Sequence, residues 1–499
     1  MNASTRQELE LLRSADLIRL VATDPDLEYL FRHALLQDAA YNLMLRGERQ
    51  SLHRDVGEVL EQMCPDRREE LAAVLAYHFE RAEDWDRAVR YLALAGKQAL
   101  KRFANREARD LLDRAAAHLD AARGDADRAL EVEIGLGRAQ AGFSFIPFDE
   151  TLGLLENTLR DAEELGDDRL LAAVHLQIGR VRNGRGERYA TSPELRTSLD
   201  EALRLGAALR DNSVRALPLS MIGSARLAGG DHAGAIEALE EALPILESLD
   251  DYANGALTAG TLGRAYARAG DFAAARRASE ASLAMAEQSG DPNVIVDARI
   301  FAGVAAAEQG DLDEAMRLTR EGVRLADEVG NTYCSLVGNF YLGDQHLRRG
   351  EAEDAVASLE RSRELAEFCD AASIVGLSDA WLGAAHAPGG GGGDLESFES
   401  PLQHARVIGD RYAESLVLQL RARARAAQPQ PNWESNVEDL REAASALEEL
   451  GARPTLARVL GDLSRALAAA GRDDESADAR RRADELAQTM GLHPEPSAF

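Results

Sequence analysis

A glycine recurs every 40 residues through the middle of this 499-residue chain. The series is Gly223, Gly263, Gly303, Gly343 and Gly383. An alanine follows twelve residues after each of the first four, at Ala235, Ala275, Ala315 and Ala355. A polar residue has the same period, at Asp211, Asp251, Asp291 and Asn331. Self-similarity of this length is typical of stacked repeats, so the pattern predicts a strict array over about residues 211–370.

One unit, residues 251–290, shows what each repeat contains. Small or apolar residues at helical spacing fill 256–267, and Gly270 with Asp271 can end that helix and cap the next. A second helix is predicted from Phe272 to Gln288, with its apolar stripe on Ala275, Ala278, Leu283 and Ala286. Neither helix is apolar all round, so each must bury its stripe against neighbours. We interpret Gly263 as the point where the paired helix approaches closely.

Leu262-Gly263-x-x-Tyr266, followed by Ala275, resembles the tetratricopeptide repeat. Leu342-Gly343-x-x-His346 is a partial copy. The period of 40 residues, the missing tryptophan and the missing or displaced late proline depart from that family, and helix pairs of HEAT type stay an alternative. The resemblance implies an all-α fold, a right-handed α-α superhelix of helical hairpins.

In tetratricopeptide arrays the first helices of successive hairpins line the concave face. If the register holds here, a protein-binding groove would be formed by residues of those helices. The predicted groove residues are Leu217, Ser220, Arg264, Asp297, Ile300, Phe340 and Asp344.

The N-terminal block has a different pattern. Arg6 to Val21 predicts one amphipathic helix, Asp24-Pro25-Asp26 a turn, and the alternation through Tyr29 and Phe31 a short strand. Helices are predicted from about Ala34 and from about Arg49 to Met63. We therefore expect a segment over 1–65 and a solenoid over 66–499.

Residues 27–41, with Arg49, Leu52-His53 and Leu60-Glu61, resemble a winged-helix-like segment of large bacterial signalling ATPases of the AAA/STAND type. In that family the segment follows the ATPase module and precedes a tetratricopeptide tail. The ATPase lies behind a class III adenylate or guanylate cyclase or a Ser/Thr kinase domain, or ahead of a LuxR-type DNA-binding domain. This chain contains no such ATPase module.

The remainder of the chain continues the array with interruptions. The segment from Asn183 to Pro193 is predicted as an inserted connection, and Pro218 and Pro244 as kinks or late helix starts. The glycine-rich stretch 388–393 predicts a flexible loop. Asp410, Gly451 and Gly491 keep the spacing, so hairpins are expected to the end.

Composition excludes several functions. The net charge of −29 repels a phosphate backbone, which disfavours nucleic acid as the main ligand. Three cysteines without metal-type spacing indicate a reducing compartment. The first residues lack a signal peptide, and no apolar run is long enough to cross a bilayer. We therefore expect a cytoplasmic protein without a membrane partner.

Chemical motifs are also missing from the sequence. There is no phosphate-binding loop, no HExxH pair and no nucleophile in a strand-turn-helix context. His346 and His386 share one repeat position, which favours a packed or groove-facing role over a metal pair. Arg421, Arg423 and Arg425, and Arg480 to Arg482, are interpreted as solvated helix faces balanced by acids. We expect no catalysis, cofactor or metal.

The sequence thus predicts a non-enzymatic interaction scaffold in bacterial signal transduction. It would bind a protein or peptide, with a signalling ATPase, cyclase or kinase as a candidate partner. The first alternative is the C-terminal part of a multidomain cyclase, kinase or ATPase. The second is part of a transcription regulator, which we rank last because the chain ends soon after Gly491.

Overall fold

The chain forms two compact units, residues 1–98 with 111–126 and residues 99–110 with 127–499. The computed structural model describes residues 3–22, 28–122, 128–143, 145–387 and 395–493. Helices dominate both units. The predicted boundary near residue 65 and the winged-helix-like assignment of the first segment stay predictions.

The first unit is helical with one small hairpin. Its elements are α1 (Ala3–Ser14), β1 (Ile18–Ala22), β2 (Glu28–Phe31), α2 (Ala34–Leu43), α3 (Arg46–Met63) and α4 (Ala72–Arg81). Helices α5 (Trp85–Lys101) and α6 (Asn105–His118) contribute to both units. Short 3₁₀ turns follow α3 and α6, at Pro65–Arg67 and Leu119–Ala121.

The predicted single helix from Arg6 to Val21 is wrong, because α1 ends at Ser14. Asp16 has a left-handed φ of 62°, which a continuing helix does not allow. Ile18 to Ala22 instead pairs antiparallel with the strand that was predicted around Tyr29. Branched and aromatic side chains suit such a pair, and this preference overrides the helical spacing. The predicted turn at 24–26 lies outside the described residues.

Several apolar side chains of the first unit face solvent. Helix α2 has no buried residue, and Leu35 and Leu43 are 82% and 85% exposed. Leu45 and Met63, at the two ends of α3, are exposed as well. Exposed apolar side chains of this size add to the apolar surface that the first unit presents to solvent.

The second unit is a right-handed superhelix of helical hairpins resembling tetratricopeptide repeats, as predicted. Its helices are α7 (Arg128–Gly142), α8 (Phe148–Leu165), α9 (Asp168–Arg185), α10 (Pro193–Ala208), α11 (Asn212–Ala228), α12 (His232–Ser248), α13 (Tyr252–Ala269), α14 (Phe272–Ser289), α15 (Pro292–Gln309), α16 (Leu312–Val329), α17 (Thr332–Arg349), α18 (Ala352–Phe368), α19 (Ala372–His386), α20 (Glu399–Ile408), α21 (Arg411–Ala426), α22 (Trp433–Leu450), α23 (Arg453–Ala469) and α24 (Asp473–Met490). The odd-numbered helices are the first helices of their hairpins.

The periodic polar residues cap the first helices. Each accepts a hydrogen bond from a backbone N–H two or three residues further on, at Asp211, Asp251, Asp291 and Asn331. Three of these helices end at a glycine in the left-handed conformation, at Gly270, Gly310 and Gly350. Such caps satisfy backbone groups that a helix end leaves free, which explains why the sequence repeats them.

The periodic glycines lie where two helices of a hairpin touch. A Cβ on Gly303 would lie 2.9 Å from the carbonyl oxygen of Ala315, and one on Gly343 would lie 3.4 Å from that of Ala355. At Gly343 it would also lie 2.5 Å from Cγ of Leu359. The prediction that the glycine and the alanine twelve residues later mark a close helix approach is therefore confirmed.

The interruptions differ in part from their predictions. Helices α11 and α12 start ahead of Pro218 and Pro244 and run through both, so neither proline marks a late start. Helix α9 continues to Arg185, so the connection before α10 is shorter than predicted. The loop at 388–393 lies outside the described residues. Asp410, Gly451 and Gly491 cap helices α21, α22 and α24, which confirms that hairpins continue.

The superhelix of the second unit closes on itself. Helix α23 contacts α13 and α15, and the N–H of His493 donates to the carbonyl of Gln309 at 2.8 Å. His232 Nδ1 lies 3.1 Å from the carbonyl oxygen of Leu450, 218 residues away. These contacts join the last hairpins to the central repeats and surround an inner space, which we call the bore.

The three cysteines are free thiols, buried at Cys334 and Cys369 and half-buried at Cys64. Among the helices of the described residues, none combines the length and the hydropathy needed to cross a bilayer.

Candidate functional site

The bore is a cavity of about 290 Å³ inside the second unit. Its wall comes mainly from the first helices α11, α13, α15, α17, α19, α21 and α23, with residues after α9. This is the face that the repeat resemblance assigned to a groove. Closure of the superhelix turns that groove into a partly open cavity, with side chains converging from several first helices.

Four of the seven predicted groove residues line the bore: Arg264, Asp297, Phe340 and Asp344. Ser220 and Leu217 belong to α11 but do not line the bore. The hydroxyl of Ser220 is 2.7 Å from that of Thr258 on α13, and the side chain of Leu217 is half-buried.

Ile300 is a correction, because only 1% of it is exposed. It belongs to an apolar cluster with Val296 and Cys334, and a Cβ on Gly322 would lie 2.6 Å from its Cγ1. Along α15, Asp297 and Phe301 are four residues apart and face the bore, whereas Ile300 lies on the adjacent stripe toward α16. The prediction was wrong because it assumed that a wider strip of the α15 surface faces the bore.

Arg264 and Arg268 project from α13 and are stacked on aromatic rings. The guanidinium carbon of Arg264 lies 4.4 Å from the centre of the Phe301 ring, and that of Arg268 lies 4.3 Å from the centre of the Tyr412 ring. Both Nε atoms are buried without a hydrogen-bond partner. Burial lowers the pKa of Arg264 from its ordinary value. Within the described residues neither guanidinium forms an ion pair, and Arg268 donates to the carbonyl of Leu227 at 3.2 Å.

The other bore arginines are neutralised by carboxylates. Arg188 pairs with Asp410 at 2.7 Å, and Arg458 pairs with Glu308 at 2.6 Å. Arg348 lies 3.7 Å from Asp344, and Arg423 lies 2.8 Å from Asp462. Three of these pairs join different segments of the bore wall, whereas Arg348 and Asp344 pair within α17. Among the described bore residues, Arg264 and Arg268 are the arginines without an ion pair.

Asp297 is the acidic counterpart on the same wall. Its carboxylate accepts a hydrogen bond from the Cys334 thiol at 3.1 Å, and it forms no ion pair with the described part of the chain. Burial raises the pKa of Asp297 to about 6. The carboxyl group is therefore partly protonated in mildly acidic solution and can both donate and accept hydrogen bonds there.

Tyr412 and Glu308 connect α21 to α15. The Tyr412 hydroxyl donates to Glu308 at 3.2 Å, and burial together with that carboxylate raises the pKa of Tyr412 to about 12. Burial opposes ionisation of Glu308, but the Arg458, Arg348 and Arg268 guanidinium groups keep its pKa below the ordinary value. Tyr412 therefore stays neutral and offers its ring face to Arg268.

An aromatic section adjoins these charges. The rings of Phe340 and Trp381 are 5.2 Å apart, and the Trp381 indole N–H donates to Asp344 at 2.8 Å. Leu377 and Tyr341 extend this wall. Enclosed apolar surface beside a few fixed polar groups is the usual composition of a ligand site.

Sequence reasoning missed Arg268, Arg188, Tyr412 and Arg458. Arg268 was detectable, since it follows Arg264 by four residues on a first helix and therefore shares its face. The other three come from segments that reach the bore only because the superhelix closes, and no periodic signal marks that closure.

Two other candidate sites have structural explanations. His346 is buried and its Nδ1 lies 2.6 Å from Glu351, which supports the packed role that was predicted. Asp354 brings a third donor atom near this pair, but Arg349 already neutralises Glu351 at 3.0 Å. Arg421 and Arg425 are mostly buried against Asp439, so the expected solvated face is wrong for that cluster. The prediction that acidic residues balance these arginines is confirmed.

A family profile and two solved proteins are similar to this chain. The profile of the tetratricopeptide repeat family matches residues 214–288. A solved Rap protein complexed with Competence and Sporulation Factor aligns with 72% of this chain and 98% of its own, with a TM-score of 0.55 and 13% identity. A signal transduction ATPase with a tetratricopeptide repeat sensor from Pyrococcus horikoshii aligns with 90% of this chain and 74% of its own, at a TM-score of 0.41 and 13% identity.

An uncharacterized protein of Rhizobium meliloti (strain 1021) is 39% identical over 87 residues. That stretch is 17% of this chain and 8% of the relative. The chain therefore matches only a small part of the length of this relative.

Proposed function

We propose that this chain is a non-enzymatic regulatory scaffold that binds a segment of a protein or peptide inside the bore. The observation that carries the proposal is that two guanidinium groups without an ion pair, those of Arg264 and Arg268, lie beside an aromatic wall in a partly open cavity. A channel formed by first helices suits an extended chain, whose side chains can enter successive spaces between repeats.

The charge distribution supports a peptide over a nucleic acid. The whole chain carries −29, whereas the bore is lined by six arginines and four carboxylates. A polyanion would meet repulsion across the outer surface before it reached this channel. A short segment with a local negative charge meets that repulsion only weakly and gains the interior arginines.

The Rap protein supports the same proposal by its fold, since that protein was solved with Competence and Sporulation Factor bound. A superhelix of this architecture is thus able to hold a signalling factor. We infer that a comparable factor, from the cytoplasm, is the partner here.

A second candidate is that the chain acts as part of a larger signalling ATPase, cyclase or kinase. The exposed apolar side chains of Leu35, Leu43, Leu45 and Met63 favour it, because they would be covered by a neighbouring domain. Sequencing the DNA upstream of Met1 for an in-frame phosphate-binding loop tests this proposal. A stop codon there, without such a loop, would contradict it.

Blocking the bore tests the main proposal. Ser224 lines the bore on α11, and Ser224→Tyr would fill part of the channel. Ser248→Tyr, at the exposed end of α12, is the matched control. A random dodecapeptide library is selected on the wild-type chain, and the affinity of enriched peptides is measured by fluorescence polarisation. We expect Ser224→Tyr to abolish binding and Ser248→Tyr to leave it unchanged; equal affinities would contradict the proposal.

A further inference from the structure

We propose that Arg264 and Arg268 together bind a carboxylate of the segment that occupies the bore. This inference rests on the proposed function and assigns the chemistry of the ligand. It makes the C-terminal part of α13 the selective element of the bore.

The positions of the two arginines allow one group to reach both. They are four residues apart on α13, so their side chains leave the same face of the helix. Each guanidinium is held against an aromatic ring, Phe301 for one and Tyr412 for the other. Stacking of this kind uses the face of the guanidinium, and the planar N–H edge matches the two oxygens of a carboxylate.

The two arginines have donors that an acceptor group of a ligand can satisfy. Arg264 makes no hydrogen bond with any described residue, and its Nε atom is buried. In the described part of the chain, Arg268 donates only to the carbonyl of Leu227, at 3.2 Å, and its buried Nε atom has no partner there. Buried charged donors without acceptors destabilise a fold. A site of this kind is retained when a ligand supplies the acceptors.

The other arginines of the bore provide an internal comparison. Arg188, Arg348 and Arg458 each have a carboxylate from this chain within 4 Å. In this environment, three other arginines therefore have a carboxylate of the chain as their partner. A carboxylate from the ligand would complete Arg264 and Arg268 in the same manner.

The polarity of the surroundings agrees with an anionic ligand. Among the described residues that line the bore, two guanidinium groups and one carboxyl, that of Asp297, have no ion pair. Asp297 already accepts a hydrogen bond from Cys334 and lies on the neighbouring helix α15. A bound segment with a carboxylate at α13 and a hydrogen-bonding group at Asp297 would satisfy Arg264, Arg268 and Asp297 together.

The test uses a dodecapeptide library displayed on beads, in one pool with a free C-terminal carboxylate and in a second pool with a C-terminal amide. We expect enriched peptides to carry Asp, Glu or the free terminus. Replacing that carboxylate by an amide in the peptide should lower affinity for the wild-type chain at least tenfold. Loss of affinity on terminal amidation identifies the α-carboxylate, and loss on Glu→Gln or Asp→Asn identifies a side chain.

Protein variants locate the effect. Arg264→Gln and Arg268→Gln should each lower affinity about tenfold, since each removes one charge-assisted hydrogen-bonding group. Arg264→Lys should give an intermediate loss, because it keeps the charge and loses the planar fork. Arg276→Gln, exposed on α14, is the matched control and should change nothing.

The failures of the two proposals are distinguishable. If enriched peptides are blocked by Ser224→Tyr, yet carry no acidic preference and bind Arg264→Gln and Arg268→Gln like the wild type, carboxylate recognition is overturned and the bore remains the site. If no peptide is enriched, or if Ser224→Tyr leaves affinity unchanged, peptide binding in the bore is overturned and the carboxylate inference with it.

Discussion

Arg188 and Asp410 form a buried ion pair across 222 residues of sequence, with Nη2 and Oδ2 2.7 Å apart. Arg188 belongs to the connection after α9, and Asp410 caps α21. The pair lies in the wall of the bore and joins two parts of the superhelix that the repeat spacing alone would leave unconnected. Closure of the channel therefore depends on contacts between distant hairpins.

Asp410→Asn tests the importance of this pair. Asparagine still caps a helix, so the substitution removes the charge and leaves Arg188 buried without a counter-ion. We expect a loss of about 3 kcal/mol in the free energy of unfolding, measured by urea denaturation. Asp271→Asn, at the exposed cap of α14, should cost well under half as much. Equal losses would show that the ion pair adds nothing beyond the cap.

The periodic glycines predict a position-specific effect. Gly303→Ala places a Cβ 2.9 Å from the Ala315 carbonyl, so the hairpin must separate, and we expect a loss of at least about 2 kcal/mol. Gly461 on α23 has open space where its Cβ would be. Gly461→Ala should therefore stabilise the chain by up to about 1 kcal/mol through helix propensity. Thermal unfolding followed by circular dichroism checks both signs, and the same sign for both would refute the close-approach explanation.

Arg264→Met should increase stability while it removes binding. The substitution retains a long side chain against Phe301 and eliminates a buried charge that has no described acceptor. We expect a gain of about 1 kcal/mol in the free energy of unfolding. Arg276→Met, at an exposed position of α14, should change stability little. A large loss at Arg264 would mean that its role is structural.

Asp297 gives a pH dependence of defined sign. The pKa of Asp297 is 3.8 in an unfolded chain and about 6 in the folded one. Between these two pH values the folded chain therefore holds an extra proton. Stability from this group is therefore present at low pH and is lost as pH rises through about 6. Asp297→Asn removes this loss and should stabilise the chain by about 2 kcal/mol at pH 7.5, with a smaller gain near pH 4.5.

The control for that experiment is Glu287→Gln, at an exposed position of α14. Its effect on the urea midpoint should be small at both pH values. A stabilisation of Asp297→Asn that grew toward acid would contradict the assigned direction of the pKa shift.

The sequence determined the hairpins because their signals are local. Asp251 and Asn331 cap the helices that follow them, and Gly263 is a point of close approach within one hairpin. Each feature depends on residues fewer than 20 positions away, so the repeat spacing of the sequence is enough to predict it. The same reasoning placed Arg264 and Asp297 on the inner face.

Features that depend on distant contacts escaped prediction. Helical spacing extended α1 through Leu20, whereas pairing with Tyr29 makes that stretch a strand. Ile300 lies beside the bore-facing side of α15 and is buried against α16 and α17. Its position depends on how these three helices pack. Tyr412 reaches Arg268 only because the later hairpins return to the central repeats.

Photocrosslinking tests most directly whether the bore is the binding site. A benzophenone amino acid replaces Phe340, which lines the bore, or Phe368, which is 54% exposed at the end of α18. The account predicts that an enriched dodecapeptide is crosslinked from position 340 and not from position 368, and that excess unlabelled peptide suppresses the product. Crosslinking from 368 alone, or equally from both positions, would contradict it.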